Sequence, residues 1–109
     1  MWITIESKTR SKTILRALAD DDKRSILMTL VNNPRSVSEV LRKCNIPKTS
    51  GYRKINSLIK EGLIIKNSSS HKNKRTRYVS MFSDLKIDFI RKEAIVKIRP
   101  NKNLKKRLN

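Results

Sequence analysis

Helix-breaking residues divide the first half of the chain into short stretches of helical pattern. Asn33-Pro34-Arg35 and Asn45-Ile46-Pro47 each interrupt an apolar pattern of helical spacing, and Gly62 is of the type that commonly follows a helix. Between these breaks the apolar residues recur every three or four positions, as on the buried face of an amphipathic helix. A chain of 109 residues is long enough for one core, so the short helices are expected to share it.

Residues that favour helix initiation stand before these stretches. Ser11 and Ser38 are of the type that caps helix N-termini, and Pro47 suits the first helical position. The acidic triplet 20–22 supplies a cap and first-turn negative charge. A helix start explains this triplet better than catalysis does, because no histidine, cysteine or further acid stands nearby in the sequence. The predicted helices cover 12–19, 21–32, 39 to 43 or 44, and 48–61, and Gly62 ends the last of them.

The apolar positions of these helices define the expected core. Cys44 is assigned to it, because a single cysteine cannot form an internal disulfide and has no neighbouring cysteine or histidine with which to bind a metal. No metal or other cofactor is therefore predicted. The residues expected to point inward are Ile14, Leu15, Leu18, Ile26, Leu27, Leu30, Val31, Val40, Leu41, Cys44, Ile55, Leu58 and Ile59.

Two strand-like runs follow the last helix. Residues 63–66 and 76–81 are rich in β-branched or aromatic side chains, and they flank a polar stretch with His71 and three lysine or arginine residues. This arrangement predicts a hairpin with a long basic loop over 67–75.

The stretch 85–99 fits two patterns. Its apolar residues alternate as in two strands, but the spacing of Ile87, Ile90 and Ala94 also suits one helix. A second hairpin is favoured, because isoleucine and valine dominate and residues 91–93 can form the turn.

The chain is expected to form one domain with extensions at both ends. Trp2, Ile3 and Ile5 could form a short strand or cover a groove, and the role of the first ten residues stays open. The fold class is α+β, mainly α, with a C-terminal tail that is polar, basic and expected to be flexible. The predicted organisation is an N-terminal arm over 1–10, the main domain over 11–82, an extension packing on it over 83–99 and the tail over 100–109.

The net charge of +18, from 27 Lys and Arg against 9 Asp and Glu, favours a polyanionic partner. No apolar run approaches the roughly 18 to 20 residues of a membrane span, and the first residues do not resemble a signal peptide. Nucleic acid is therefore favoured over a membrane, and the expected location is cytoplasmic, at the nucleoid. Eleven basic residues and one acid lie between Arg42 and Arg77, so the charge concentrates on the fourth helix and the basic loop.

The order of elements matches a known plan. A short helix, a three-residue turn, a longer helix with a polar start and a hairpin make up a winged helix-turn-helix, whose second helix of the pair enters the major groove of DNA. Four segments add a more specific resemblance: Leu18-Ala-Asp-Asp-Asp-Lys-Arg-Ser-Ile-Leu27, Ser36-Val-Ser-Glu-Val-Leu41, Ile46-Pro-Lys-Thr-Ser-Gly-Tyr-Arg-Lys-Ile55 and Leu58-Ile-Lys-Glu-Gly-Leu-Ile64. In their order and spacing, over about residues 13–80, they resemble the ArsR-type winged-helix regulators, especially the archaeal branch.

The resemblance implies a transcription regulator, often a homodimer on a palindromic or direct-repeat operator. Metal sensing is not implied, because the cysteine pairs of the metal-sensing members are absent. Gly51 stands where the family has a buried branched aliphatic residue; this should cost the helix about 1 kcal/mol and leave a small gap in the core. The groove-facing positions of the family fall on Lys48, Thr49, Ser50, Tyr52, Arg53 and Lys54, and its wing tip falls on residues 71–75.

Side-chain chemistry separates base reading from phosphate anchoring. Arg53 presents a donor pair suited to guanine, and Ser50 and Asn56 can reach neighbouring base edges, whereas the wing lysines can neutralise phosphates of any duplex. Tyr52 could stack or contact a phosphate, but packing at the seam between helix and sheet is favoured. The basic residues of the predicted wing over 66–79 that would meet DNA are His71, Lys72, Lys74, Arg75 and Arg77.

Two further classes of function stay open beside a sequence-specific regulator. The high charge and the basic tail also suit an architectural binder without sequence preference, and winged helices also serve as protein-interaction modules. An enzyme is not expected, because the chain has only two glycines and no Ser, His and acid set in a plausible context. No small-molecule site can be recognised. If the chain dimerises, candidate contact residues are Ile14, Leu15, Phe89 and Val96, which could instead complete the monomer core.

Overall fold

The computed structural model describes residues 1–67 and 76–104, which form four helices and two small antiparallel sheets. The predicted α+β class, mainly α, is confirmed. The helices are α1 (Lys8–Ala19), α2 (Asp21–Thr29), α3 (Val37–Cys44) and α4 (Lys48–Lys60). The strands are β1 (Ile3–Thr4), β2 (Ile64–Asn67), β3 (Arg77–Ser80), β4 (Phe82–Ile90) and β5 (Glu93–Pro100).

Two of the four helices begin earlier than predicted, because other serines cap them. Ser7, not Ser11, accepts the Arg10 backbone N–H and starts α1. Ser36, not Ser38, caps α3, and its own backbone N–H donates to the Glu39 carboxylate at 2.8 Å. This reciprocal capping box satisfies two N–H groups that would otherwise have no partner in the helix.

The other helix ends show how neighbouring elements set the boundaries. Asp20 caps α2 as predicted, by accepting the Lys23 backbone N–H at 3.0 Å. That helix ends at Thr29, three residues early, because β3 crosses its end and Ser80 donates its backbone N–H to the Leu30 carbonyl at 3.0 Å. Pro47 lies at the N-cap of α4, one position before the predicted one, and Gly62 follows the helix with a left-handed φ of 73° as predicted.

The core lies between the helices and the inner faces of the sheets. Its completely buried members come from every helix and from both sheets. Ile59 was wrongly assigned to it, because its side chain is 37% exposed, while Cys44 is half-buried with its Sγ 3.3 Å from the Thr29 hydroxyl. Of the candidate dimer contacts, Ile14 and Val96 are 0% exposed, so these two complete the monomer core instead.

The C-terminal hairpin is confirmed. Strands β4 and β5 pair from Phe82 opposite Pro100 to Ile90 opposite Glu93, and the two residues between them, Arg91 and Lys92, have φ values of 50° and 68°. Two successive left-handed residues are the geometry that matches the twist of a tight hairpin.

The chain ends are tied to this hairpin. Strand β1 pairs with β5, with Ile3 opposite Ile98. The centre of the Trp2 ring lies 4.8 Å from the Lys86 ammonium and 4.6 Å from the Arg99 guanidinium. The predicted start of the tail at residue 100 is too early. Asn101 is 1% exposed, and its side-chain amide donates to the Val31 carbonyl at 2.9 Å. Residues 105–109 lie outside the described part, and the four-part division of the chain stays a prediction.

Candidate nucleic-acid interface

Helices α3 and α4 form the predicted helix-turn-helix pair. Asn45 ends α3 in the left-handed conformation with φ of 60°, and the Ile46 backbone N–H returns to the Leu41 carbonyl at 2.9 Å. Ile46 is buried, so the turn is anchored in the core. This fixes the angle at which α4 leaves the turn.

Gly51 lets the two helices of this pair approach closely. A Cβ atom at this position would lie 2.6 Å from Cδ2 and 2.8 Å from Cδ1 of Leu41, and 3.2 Å from Cγ2 of Ile46. The predicted gap is therefore wrong: the Leu41 side chain fills the space that a branched aliphatic residue would take.

The outer face of α4 carries most of the predicted reading residues. Lys48, Thr49, Tyr52, Arg53 and Asn56 are all exposed, and their spacing of three and four residues places them on one side of the helix. Tyr52 is 45% exposed, so the favoured expectation that it packs at the seam between helix and sheet is wrong.

Two further polar residues lie in the first and last turns of α4. Ser50 is half-buried and turns its hydroxyl toward the Pro47 carbonyl at 3.5 Å. Lys60, which the sequence reasoning did not single out, is exposed in the last turn. Its place four residues beyond Asn56 and seven beyond Arg53, on the same side of the helix, was a signal that could have identified it.

Lys54 does not face outward with the other polar residues of α4. Its Nζ lies 3.0 Å from both carboxylate oxygens of Asp20 and 3.3 Å from Asp22, and its side chain is 29% exposed. The hydrogen bond to Asp20 raises the pKa of Lys54, while the Lys23 backbone N–H, followed by Lys54 itself, lowers the pKa of Asp20. The acidic triplet therefore both caps α2 and holds α4.

Two more basic side chains hold the C-terminal half of α4. The Lys23 ammonium donates to the Ser57 hydroxyl at 2.8 Å and to the Glu61 carboxylate at 3.3 Å. From α1, the Arg10 guanidinium donates to the Glu61 backbone carbonyl. We call Arg10, Asp20, Asp22, Lys23 and Lys54 the inner clamp. These side chains fix one side of α4 and leave its polar face toward solvent.

Strands β2 and β3 form the base of the predicted wing. They pair in register from Ile64 opposite Ser80 to Asn67 opposite Arg77, and Arg35 adds a third short connection through reciprocal backbone bonds with Tyr78 at 3.2 and 2.8 Å. The proposed wing-tip contacts His71, Lys72, Lys74 and Arg75 lie outside the described residues.

Arg77 is the one predicted wing contact that the structure describes. It is half-buried, and its Nε is buried with no hydrogen-bond partner among residues 1–67 and 76–104. Its charge acts on Glu39, whose pKa is lowered chiefly by the Ser36 backbone N–H and further by Arg77 and Arg35. Arg77 therefore contributes to the electrostatics beneath the wing, where α3 meets the sheet.

Within residues 1–67 and 76–104, no helix is both long and apolar enough to cross a membrane.

These elements, three helices with a helix-turn-helix pair and a following two-stranded wing, define the winged helix-turn-helix class. Three solved structures share the fold. NolR from Sinorhizobium fredii matches with a TM-score of 0.56 at 18% identity, over 66% of this chain and 69% of NolR. HlyU from Vibrio cholerae matches with a TM-score of 0.57 at 19% identity, over 70% of this chain and 80% of HlyU.

The third structure is the homodimeric winged helix-turn-helix DNA-binding domain of a possible ArsR-family transcriptional regulator from Mycobacterium bovis. It matches with a TM-score of 0.55 at 19% identity, over 66% of this chain and 64% of that domain. At these identities the three structures establish the fold alone.

A sequence relative establishes the family. An uncharacterized HTH-type transcriptional regulator of Bacillus subtilis, YceK, is 36% identical over 73 residues, which are 65% of this chain and 69% of YceK. The chain belongs to the HTH-type transcriptional regulators, and it is a regulator rather than an enzyme, as predicted. No protein-family model matches the sequence.

Proposed function

We propose that this chain regulates transcription by binding double-stranded DNA at specific sequences, with α4 in the major groove and the wing over 66–79 on the DNA backbone. The observation that carries the proposal is the division of α4 into two sides. One side is held by the inner clamp and the core, and the other presents donors and acceptors to solvent. A fixed helix with a polar outer face is what base reading in the major groove requires.

The residues of the outer face have different roles. Arg53 offers a pair of parallel N–H donors that match O6 and N7 of guanine, and Asn56 offers the donor and acceptor pair that matches adenine. Lys48, Thr49 and Ser50 lie at the N-terminal end of α4, where they and the helix dipole favour a phosphate or a base edge. Tyr52 contacts the backbone or stacks from the same face.

The wing supplies the sequence-independent part of the affinity. Its basic residues neutralise phosphates and release counterions, so they hold the protein on any duplex and position α4. The assigned residues are His71, Lys72, Lys74, Arg75 and Arg77. Lys54 is assigned a positioning role instead, because its ammonium is engaged by Asp20 and Asp22.

The full proposal is an ArsR-type regulator of the archaeal branch that acts as a homodimer on nucleoid DNA in the cytoplasm. The sequence segments quoted above support the ArsR type. The exposed Phe89 and the half-buried Leu15 remain as candidate contacts between two copies.

Selection of bound sequences from a randomised duplex pool at moderate salt tests this proposal. A recovered motif of one or two half-sites is expected, and its symmetry would report the arrangement of the subunits. The net charge of +18 favours one competing function, an architectural binder. Retention of duplex without any motif would establish that alternative, and no retention at all would point to a protein partner.

A further inference from the structure

The C-terminal hairpin leaves one long strand with an open edge. The three strands of its sheet are ordered β1, β5, β4, so β5 has a neighbour on both sides, with β1 reaching only Val96 to Ile98, while β4 pairs only through one side. Among residues 1–67 and 76–104, no strand pairs with the outer edge of the nine-residue β4. An open edge of this length is a template for another strand.

The backbone groups that face outward can be assigned from one hydrogen bond. Ile5 donates its backbone N–H to the Val96 carbonyl at 2.9 Å, so the backbone groups of Val96 point toward β1 and not toward β4. Ile87 lies opposite Val96, and its own N–H and C=O therefore point away from β5. Because this direction alternates along a strand, Leu85 and Phe89 present their backbone groups outward as well.

The side chains of β4 form two different faces. Leu85, Ile87 and Phe89 lie on the apolar face, and exposure rises toward the turn, from half-buried Leu85 to Ile87 at 38% and Phe89 at 84%. The opposite face carries the alternating charges Asp84, Lys86 and Asp88. An apolar row beside an alternating charged row can match a second copy of itself.

We propose that two copies of this chain pair through β4, antiparallel, with Ile87 opposite the partner's Ile87. In this register Leu85 lies beside the partner's Phe89 and Lys86 lies opposite the partner's Asp88, and the two-fold axis repeats both contacts. Six strands then form one continuous sheet across the dimer, and the apolar row of Leu85, Ile87 and Phe89 continues into its counterpart.

Charge and register exclude the neighbouring pairings. Moving the partner by two residues in one direction would place Lys86 opposite the partner's Lys86, and moving it by two in the other direction would place Asp88 opposite the partner's Asp88. Like charges directly opposite each other are destabilising. Moving it further would bring the irregular pairing between Phe82 and Asp84 into the contact and leave Phe89 beyond the paired strands. Lys86 makes no ion pair within the described part of the chain, where its ammonium lies over the Trp2 ring. Asp88 already lies 2.9 Å from the Lys97 ammonium of its own chain, so the partner's Lys86 would be its second cation.

This inference rests on the homodimer in the proposed function and is independent of base reading by α4. It is tested first by cysteine cross-linking in the full chain, with Cys44→Ser removing the single native thiol. Residues opposite each other in a hydrogen-bonded antiparallel pair have Cα atoms about 5.5 Å apart, within the range of about 4.4–6.8 Å that a disulfide spans. Ile87→Cys should therefore form a covalent dimer on mild oxidation at micromolar protein.

The matched control is Lys86→Cys in the same background. In the proposed register its copies are about 8 Å apart, since they are offset by two residues along the strands, and little cross-linking is expected. Strong cross-linking at 86 with none at 87 would overturn the proposed register. Cross-linking at neither position would overturn pairing through β4.

Sedimentation of the free protein supplies the second measurement. The wild type should sediment at twice the 12.7 kDa chain mass, and Ile87→Pro should weaken its dimerisation at least tenfold. Proline removes an N–H that points outward, so the hairpin keeps its internal hydrogen bonds; Ile87→Val, which keeps the N–H, should remain dimeric. Unchanged far-UV circular dichroism would show that Ile87→Pro is folded.

The outcomes separate this inference from the proposed function. A monomeric wild type, or an Ile87→Pro variant that is still dimeric, would overturn the β4 interface. Sequence selection repeated with the folded Ile87→Pro variant tests α4 by itself, since a monomer that recovers a single half-site reads DNA whatever joins the subunits. A dimer through β4 that recovers no motif would contradict sequence-specific reading and leave the interface standing.

Discussion

Lys54→Met would test whether this lysine positions α4 or touches DNA. The substitution keeps an unbranched side chain and removes the ammonium that bridges Asp20 and Asp22. Exposed ion pairs contribute about 0.2–1 kcal/mol each, and the Lys54, Asp20 and Asp22 side chains are 29%, 32% and 41% exposed, so solvent screens both pairs in part. The expected loss is about 1 kcal/mol of the free energy of unfolding, or about 4–8 °C in Tm for a domain of this size.

The pH dependence of this loss identifies its cause. The pKa of Asp20 is lowered from its ordinary 3.8, so its contribution to stability is present above that value and is lost as pH falls through the lower, folded pKa. The pKa of Lys54 is raised above 10.5, so its contribution is present below that value and is lost as pH rises through the higher, folded pKa. The difference between wild type and Lys54→Met should be full at neutral pH and vanish in strong acid.

Denaturant unfolding at about pH 7 and about pH 2.5 measures this difference, and titration with the selected DNA measures binding. The matched control is Lys48→Met on the exposed face of the same helix, which should weaken DNA binding and leave the free energy of unfolding nearly unchanged. The reasoning fails if the stability loss of Lys54→Met persists in acid, or if Lys54→Met weakens binding as much as Lys48→Met does without any loss of stability.

Three further substitutions test the site and its support. Arg53→Ala should cost about 1–3 kcal/mol of binding and relax base choice at one position, whereas Lys74→Ala should weaken all duplexes alike and lower the salt slope by about one; titrations at two salt concentrations would contradict these roles if both changes acted equally on cognate and random DNA. Gly51→Ala adds a methyl group 2.6 Å from a buried leucine side chain, and overpacking of about 1–3 kcal/mol should outweigh the gain in helix propensity of about 1 kcal/mol; an increase in thermal stability would show that the helices separate freely. Ser36→Ala should lower the free energy of unfolding by about 1 kcal/mol, and Ser38→Ala should change it much less; equal losses in chemical denaturation would remove the capping assignment.

The sequence allowed the order of the elements to be predicted, because that order depends on local signals. Pro47 and Gly62 mark the ends of α4, and the isoleucines and valines of 85–99 favour strands over a helix. The cap of α3 was also accessible, since Glu39 stands three residues after Ser36 and completes a capping box. The start of α1 was missed although its cap is local as well: Ser7 and Ser11 are the same type of capping residue, and the sequence alone does not choose between them.

The candidate site was less predictable, because some of its contacts join residues that are far apart in the sequence. Helical spacing places Arg53 and Asn56 on an outer face, but it cannot show which polar residue of that helix meets a partner from elsewhere in the chain. Lys54 finds its carboxylates 32 and 34 residues away. Likewise, an alternating strand does not reveal that Val96 is covered by the monomer while Phe89 is left exposed.

The inner clamp makes the salt dependence of DNA binding depend on more than the phosphate contacts. Added salt competes with phosphate contacts, and it also screens the half-exposed ion pairs that hold α4 in place. Affinity would then fall with ionic strength for two reasons, only one of which involves DNA. A count of phosphate contacts taken from the salt slope would be too high. The slope of Lys54→Met, which loses the ion pairs to Asp20 and Asp22 and keeps only that of Lys23 with Glu61, would come closer to the true number.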